Sequence, residues 1–260
     1  MSETGAYAAV AQRQFRRQAQ SYNYRQSIAD EKFIAFMVSS SGAGKNDRVL
    51  DVACGLGAAT LAFAARCKRA TGIDLAPDIL ARASAEAQSR SIDNAGFALS
   101  ELENMAFADG AFTGAVCRFS FHHFVHPQRV FAEMARVVQA GCWMMISDTA
   151  ASEDERKADF HNELERLCDP THARALAPSE FERMFAKHGF SVIMKIARDA
   201  RMSVDDWIAF GHPPANNIVR LRQLIETAVE GDKAGLKLTR EGDSLRMGHT
   251  TVSFVVEKES

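Results

Sequence analysis

Five short runs rich in β-branched and apolar residues alternate with three longer stretches whose apolar residues recur at helical spacing. The runs are RVLDVAC (48–54), RATGIDL (69–75), AGFALS (95–100), TGAVCRFSF (113–121) and CWMMISD (142–148). Between them lie ATLAFAARCK (59–68), APDILARASAEAQSR (76–90) and HPQRVFAEMARVVQA (126–140). Two periods in alternation demand βαβ units, and βαβ units demand a mostly parallel sheet with right-handed crossovers and helices on both faces. The predicted fold class is therefore a doubly wound, Rossmann-like α/β domain.

The flanks differ in character. Two helices are expected over 5–20 and 25–40, ending in the Ser/Gly-rich break SSSGAGKND (39–47). After Asp148 comes a charged amphipathic helix over 152–168. A helix over 177–190 follows, with Ser179 and Glu182 spaced as a capping box. A strand at SVIMKIA (191–197), helices around Trp207 and over 216–229, and a closing strand TTVSFVVEK (250–258) complete a sheet expected to have seven strands.

Composition narrows the function classes. A chain of 260 residues with 47% hydrophobic content carries one sizeable core, and a net charge of -2 without a basic stripe argues against a nucleic-acid partner. No apolar run approaches the ~20 residues of a membrane span. The five cysteines, Cys54, Cys67, Cys117, Cys142 and Cys168, form no CxxC pair, which predicts neither a disulfide framework nor a cysteine zinc site, and no metal ligand set is read. The expectation is a soluble, cytoplasmic protein.

The turn VLDVACGLGAAT (49–60) follows the first strand, where nucleotides bind in such sheets. A pyrophosphate-binding fingerprint would read G-x-G-x-x-G/A, but Gly55-Leu56-Gly57-Ala58-Ala59-Thr60 ends in threonine. Asp51, four residues before Gly55, would repel a pyrophosphate and favour a cation. A nucleoside with a positive amino or sulfonium group and no phosphate fits better, and S-adenosyl-L-methionine is such a ligand.

VLDVACGLGAAT resembles the first motif of class I S-adenosylmethionine-dependent methyltransferases, and TGIDLAPDIL (71–80) resembles their second. ELENMAF (101–107) is similar to the third, with Glu101 for the usual Asp and Met105-Ala106 for Leu-Pro. HPQRVFAEMARVVQAGC (126–142) resembles the segment before strand five, with Gln139-Ala140 for Lys-Pro. CRFSFHHF (117–124) and DPTHARALAPSEFERMFAKHGF (169–190) look like the branch that includes ubiquinone- and menaquinone-biosynthesis methyltransferases.

The resemblance implies an N-terminal helical lid over 1–44 and a methyltransferase domain over 45–260, with helical cap elements over 149–188 and 203–230. It implies a cofactor site at Asp51, Ala53, Gly55, Gly57 and Leu75, with Asp74 at the ribose and Glu101 and Leu102 beside adenine. Arg118 and Tyr22 are expected toward the methionine end, with a structural ion pair or an anionic acceptor as the alternatives for Arg118 and core packing as that for Tyr22. His122 and His123 are the candidate catalytic pair, one of them taking a proton from the acceptor. Substrate contact from His161, His172 or Trp207 in the cap is a lesser alternative, and His188, His212 and His249 are assigned to packing. The implied partner is a small, cyclic or aromatic methyl acceptor, with S-adenosyl-L-homocysteine as the second product and a monomer or homodimer as the working unit. The rival readings are a cofactor-binding protein of this fold that does not methylate, an inactive binding module, and an NAD-dependent oxidoreductase.

Overall fold

The structure, a computed structural model, describes Gln14 and residues 31–260. Apart from Gln14, the helix expected over 5–20 lies outside the described residues, as do the first residues of the one over 25–40 and Tyr22. The latter helix is described as α1 (Glu31–Ser40).

The predicted alternation is realised as β1 (Arg48–Val52), α2 (Ala58–Ala64), β2 (Arg69–Asp74), α3 (Pro77–Ser89), β3 (Ala95–Leu99), β4 (Phe112–Arg118), α4 (Pro127–Val137) and β5 (Val138–Ala150). The remainder is α5 (Glu155–Cys168), α6 (Pro178–Lys187), β6 (Phe190–Ser203), α7 (Val204–Gly211), α8 (Ala215–Val229), β7 (Thr239–Glu241) and β8 (Ser244–Lys258). One sheet runs in the order β3-β2-β1-β4-β5-β8-β6. Strands β1 to β5 pair in parallel, whereas β8 enters antiparallel between β5 and β6. The seven expected strands are joined by an eighth, the three-residue β7, which forms a short antiparallel pair with β8. The order reverses between β1 and β4, which opens a cleft at their carboxyl ends.

Period-2 alternation assigns side chains to the two faces. Leu50, Ala115, Cys117, Met144, Ile146 and Phe254 join α4 and α6 in one apolar cluster. Val49, Val116, Met145 and Val255 join α1 and α2 in the other. Phe131, Phe181, Phe185 and Phe254 pack ring against ring in the first cluster. Each is almost fully buried and contributes on the order of 1.5–3 kcal/mol. A third cluster unites Leu164, Cys168, Trp207, Leu221 and Ile225 from α5, α7 and α8 with Met247 of β8.

Three local readings are corrected. Helix α4 stops at Val137, and Gln139 to Gly141, expected to finish the helix and its exit, open β5 instead. Ser179 does not cap α6. Its N–H and hydroxyl both donate to Glu153, while Glu180 reaches back to accept from the N–H of Ala177. Helix α6, expected within the cap segment 149–188, packs on the sheet through Phe181, Met184 and Phe185. Its aromatic face is buried there against Phe254 of β8 and Phe131 of α4.

Candidate active site

The cleft is walled by the turns that follow β1, β2, β4 and β5. After β1 the chain turns through Ala53, Gly55 and Gly57, all with positive φ. For Ala53 (φ 57°) the left-handed conformation costs about 1 kcal/mol, strain of the kind held at functional turns. At Gly57 (φ 79°) a Cβ would stand 2.7 Å from the Phe97 ring, so no larger residue fits between α2 and β3. The turn is closed by Cys54 donating to Ile73 O and Gly57 donating to Cys54 O, both at 2.9 Å.

Asp74 ends β2 with its carboxylate turned back to this loop. Oδ2 accepts from the N–H of Gly55 at 2.9 Å and Oδ1 from that of Ala76 at 3.0 Å. Burial raises its pKa, and these amide donors restrain the rise. The acid is half-buried, and Leu75 beside it is 36% exposed. Glu101 and Leu102 follow β3, with Leu102 buried and Glu101 exposed.

Asp51 lies beneath the turn, 2% exposed, and Oδ2 accepts from the hydroxyl of Thr60 at 2.6 Å. The residue that breaks the dinucleotide fingerprint thus serves the acid. Burial pushes Asp51 up to about 6, against the pull of Thr60 and of the Arg118 guanidinium. Arg118 closes β4, with its guanidinium 5.2 Å from the centroid of the Phe119 ring. Phe119 is the second strained non-glycine residue of the cleft, at φ 52°.

His122 and His123 fall in a 3₁₀ turn, Phe121–His123. Nδ1 of His122 is 2.5 Å from Oδ1 of Asp148, near the end of β5. Since a carboxylate only accepts, Nδ1 carries the proton and Nε2 of the neutral ring is the basic atom. Asp148 is itself fixed: Oδ2 accepts from the N–H of Ser120 at 2.9 Å and of Phe121 at 2.6 Å. Burial alone would lower the pKa of His122, but the charge and hydrogen bond of Asp148 outweigh it, and the net shift is upward. His123 goes the other way, to about 4, through burial and the neighbouring His122. Its Nδ1 donates to Thr171 O at 3.0 Å. The two rings lie 4.0 Å apart between centroids, and His172 stacks 5.5 Å from His122. His172 Nε2 is 2.7 Å from Oδ1 of Asn162, and burial holds its pKa far down.

The structure thus brings Asp51, Ala53, Gly55, Gly57, Asp74 and Arg118 to one end of the sheet, with His122 and His123 across the cleft. Sequence reading passed over Asp148, Asn162 and Thr171 as partners. Only the acid closing the fifth apolar run signalled the first of them. Among the described residues, no helix is long and apolar enough to cross a membrane.

Residues 50–146 match the model of a methyltransferase domain. The chain is 29% identical over 211 residues to the uncharacterized methyltransferase YcgJ of Bacillus subtilis, across 81% of this chain and 82% of that one. The crystal structure of YcgJ is similar with a TM-score of 0.82 and 25% identity, over 88% of this chain and 99% of that chain. The BH2331 protein of Bacillus halodurans gives a TM-score of 0.83 at 24% identity, over 88% and 100%. The fold is shared more distantly by geranyl diphosphate C-methyltransferase of Streptomyces coelicolor, with a TM-score of 0.64 at 13% identity over 92% and 85%. The chain carries a methyltransferase domain, and its sheet order, motif placement and these matches are those of class I S-adenosylmethionine-dependent methyltransferases.

Proposed function

We propose that this enzyme transfers the methyl group of S-adenosyl-L-methionine to an O, N or C atom of a small cyclic or aromatic metabolite, with His122 accepting the displaced proton. The observation that carries the reading is the 2.5 Å contact between His122 Nδ1 and Asp148, which fixes the tautomer and leaves Nε2 as the basic atom.

The chain fits the cofactor at three points. Gly55 and Gly57 present backbone without side chains at the turn. Asp74, held by two amides, has carboxylate lone pairs left for paired ribose hydroxyls. Leu75, Glu101 and Leu102 offer an apolar edge and an acceptor for the adenine side. Arg118 is assigned to the methionine carboxylate and Asp51 to the field that favours a cationic ligand. When bound, the sulfonium supplies an already electrophilic methyl carbon, so orientation of the acceptor supplies most of the effect.

On the acceptor side, the rings of His123 and His172 lie 4.0 and 5.5 Å from that of His122. That lining suits a flat substrate. His123 and His172, both held neutral, add no positive charge that would oppose protonation of His122.

Incubation with methyl-labelled cofactor and fractionated small metabolites, with identification of the labelled product, tests the reading. A labelled cyclic or aromatic product made by the wild type and lost in His122→Ala supports it. Label confined to protein or nucleic acid would overturn the substrate class.

A further inference from the structure

A second constellation of histidines lies apart from the proposed base. His161 and Glu165 stand one turn apart on the same face of α5, and His249 reaches them from β8. One ligand-type atom from each lies within 4.8 Å of the others. Their side chains are 2%, 12% and 12% exposed. His249 Nε2 is 2.6 Å from Glu165 Oε1, a proton-mediated contact. His161 Nε2 is 3.4 Å from the same oxygen but makes no hydrogen bond, although it is shielded from solvent.

We infer that His161, Glu165 and His249 form a binding site for a divalent transition metal of the zinc class. Two imidazoles and one carboxylate are a common donor set for such ions, and they leave a fourth position open. At metal–ligand distances near 2.1 Å, neighbouring donors in a tetrahedron sit roughly 3.4 Å apart. The His161–Glu165 separation already meets that spacing. His249 is closer to the carboxylate than two donors on one ion can be, because a proton occupies that contact; metal entry would displace it and open the pair.

The bound ion would clamp α5 to the sheet through β8. The neighbouring residue Asn162 holds His172 at 2.7 Å, so the same helical turn supports both constellations. The site owes nothing to the cysteines: its ligands are separated by 84 residues between Glu165 and His249 and meet only in the fold.

The test uses the full chain without a histidine tag, treated with chelator and titrated with zinc by calorimetry, then with cobalt by absorption. The expected result is one zinc per chain, a raised unfolding temperature, and cobalt d–d bands without sulfur charge-transfer bands. Glu165→Gln and His249→Ala should weaken zinc binding on the order of 10–100-fold or more. His161→Gln keeps the Glu165–His249 contact and should show the same loss if either other variant fails to fold. The inference is overturned if zinc does not bind, if cobalt shows thiolate bands, or if a folded His161→Gln variant binds zinc as the wild type does.

Discussion

Asp148 holds His122 across the gap between β5 and β4, with Oδ1 2.5 Å from Nδ1 and Oδ2 taken by two backbone amides. A histidine so held has one free chemical task at Nε2. Burial lowers its pKa, Asp148 more than restores it, and the base form therefore predominates only at a pH above the ordinary 6.5. The kcat/KM of methyl transfer should rise with pH through an inflection above that value and then level off. In Asp148→Asn the inflection should move to lower pH and the plateau fall about 10²-fold. An unchanged profile would mean that His122 carries no proton in the reaction.

The same pair makes a stability prediction. A folded-state pKa above the unfolded value means that the native protein binds the proton more tightly. The stabilisation is complete below the unfolded pKa and is lost as pH rises through the folded one. Urea denaturation at pH 6 and pH 9 should show the wild type losing more stability across that interval than Asp148→Asn. An asparagine also cannot accept on both sides, so the variant should be destabilised by roughly 1–3 kcal/mol at pH 6.

Asp51 has the opposite consequence. Its carboxyl titrates near 6 in the fold against 3.8 ordinarily, so burial of the charged form works against folding. That cost grows as pH rises from about 4 to 6 and is complete above it. Asp51→Asn, which can still accept from Thr60, should stabilise the unliganded protein at pH 7.5 by roughly 1–3 kcal/mol. It should also weaken cofactor binding. A variant that gains stability and binds as before would remove Asp51 from the site.

The alternation of strands and helices was legible because buried strands and amphipathic helices impose different periods on the chain. The glycine turn and Asp74 were legible because their partners lie within one βα unit. His122 and Asp148 were not, being 26 residues apart on segments that meet only because β4 and β5 pair. Ser179 misled because a free carboxylate, that of Glu153, competed for its hydroxyl and amide, a contact local spacing cannot reveal. The end of α4 misled because polar Gln139 and flexible Gly141 suit an exposed strand start as well as a helix end.

Gly57 should tolerate nothing larger. Its φ of 79° strains any side chain, and a Cβ would meet Phe97 at 2.7 Å. Gly57→Ala should cost roughly 1–3 kcal/mol in chemical denaturation, and Phe97→Leu in the same chain should recover the steric part but not the backbone part. Full recovery would show the turn to be unstrained.

The cofactor seat is tested most directly by calorimetric titration of S-adenosyl-L-homocysteine into the wild type and Asp74→Ala. The carboxylate of Asp74 is the group assigned to two ribose hydroxyls, and its removal also leaves the amides of Gly55 and Ala76 without their acceptor. Two charge-assisted hydrogen bonds correspond to on the order of 10²-fold or more in affinity. The expected result is binding well below the millimolar range by the wild type and a loss of that size in the variant. Binding by the wild type no tighter than millimolar, or equal binding by a folded Asp74→Ala protein, would contradict the assignment.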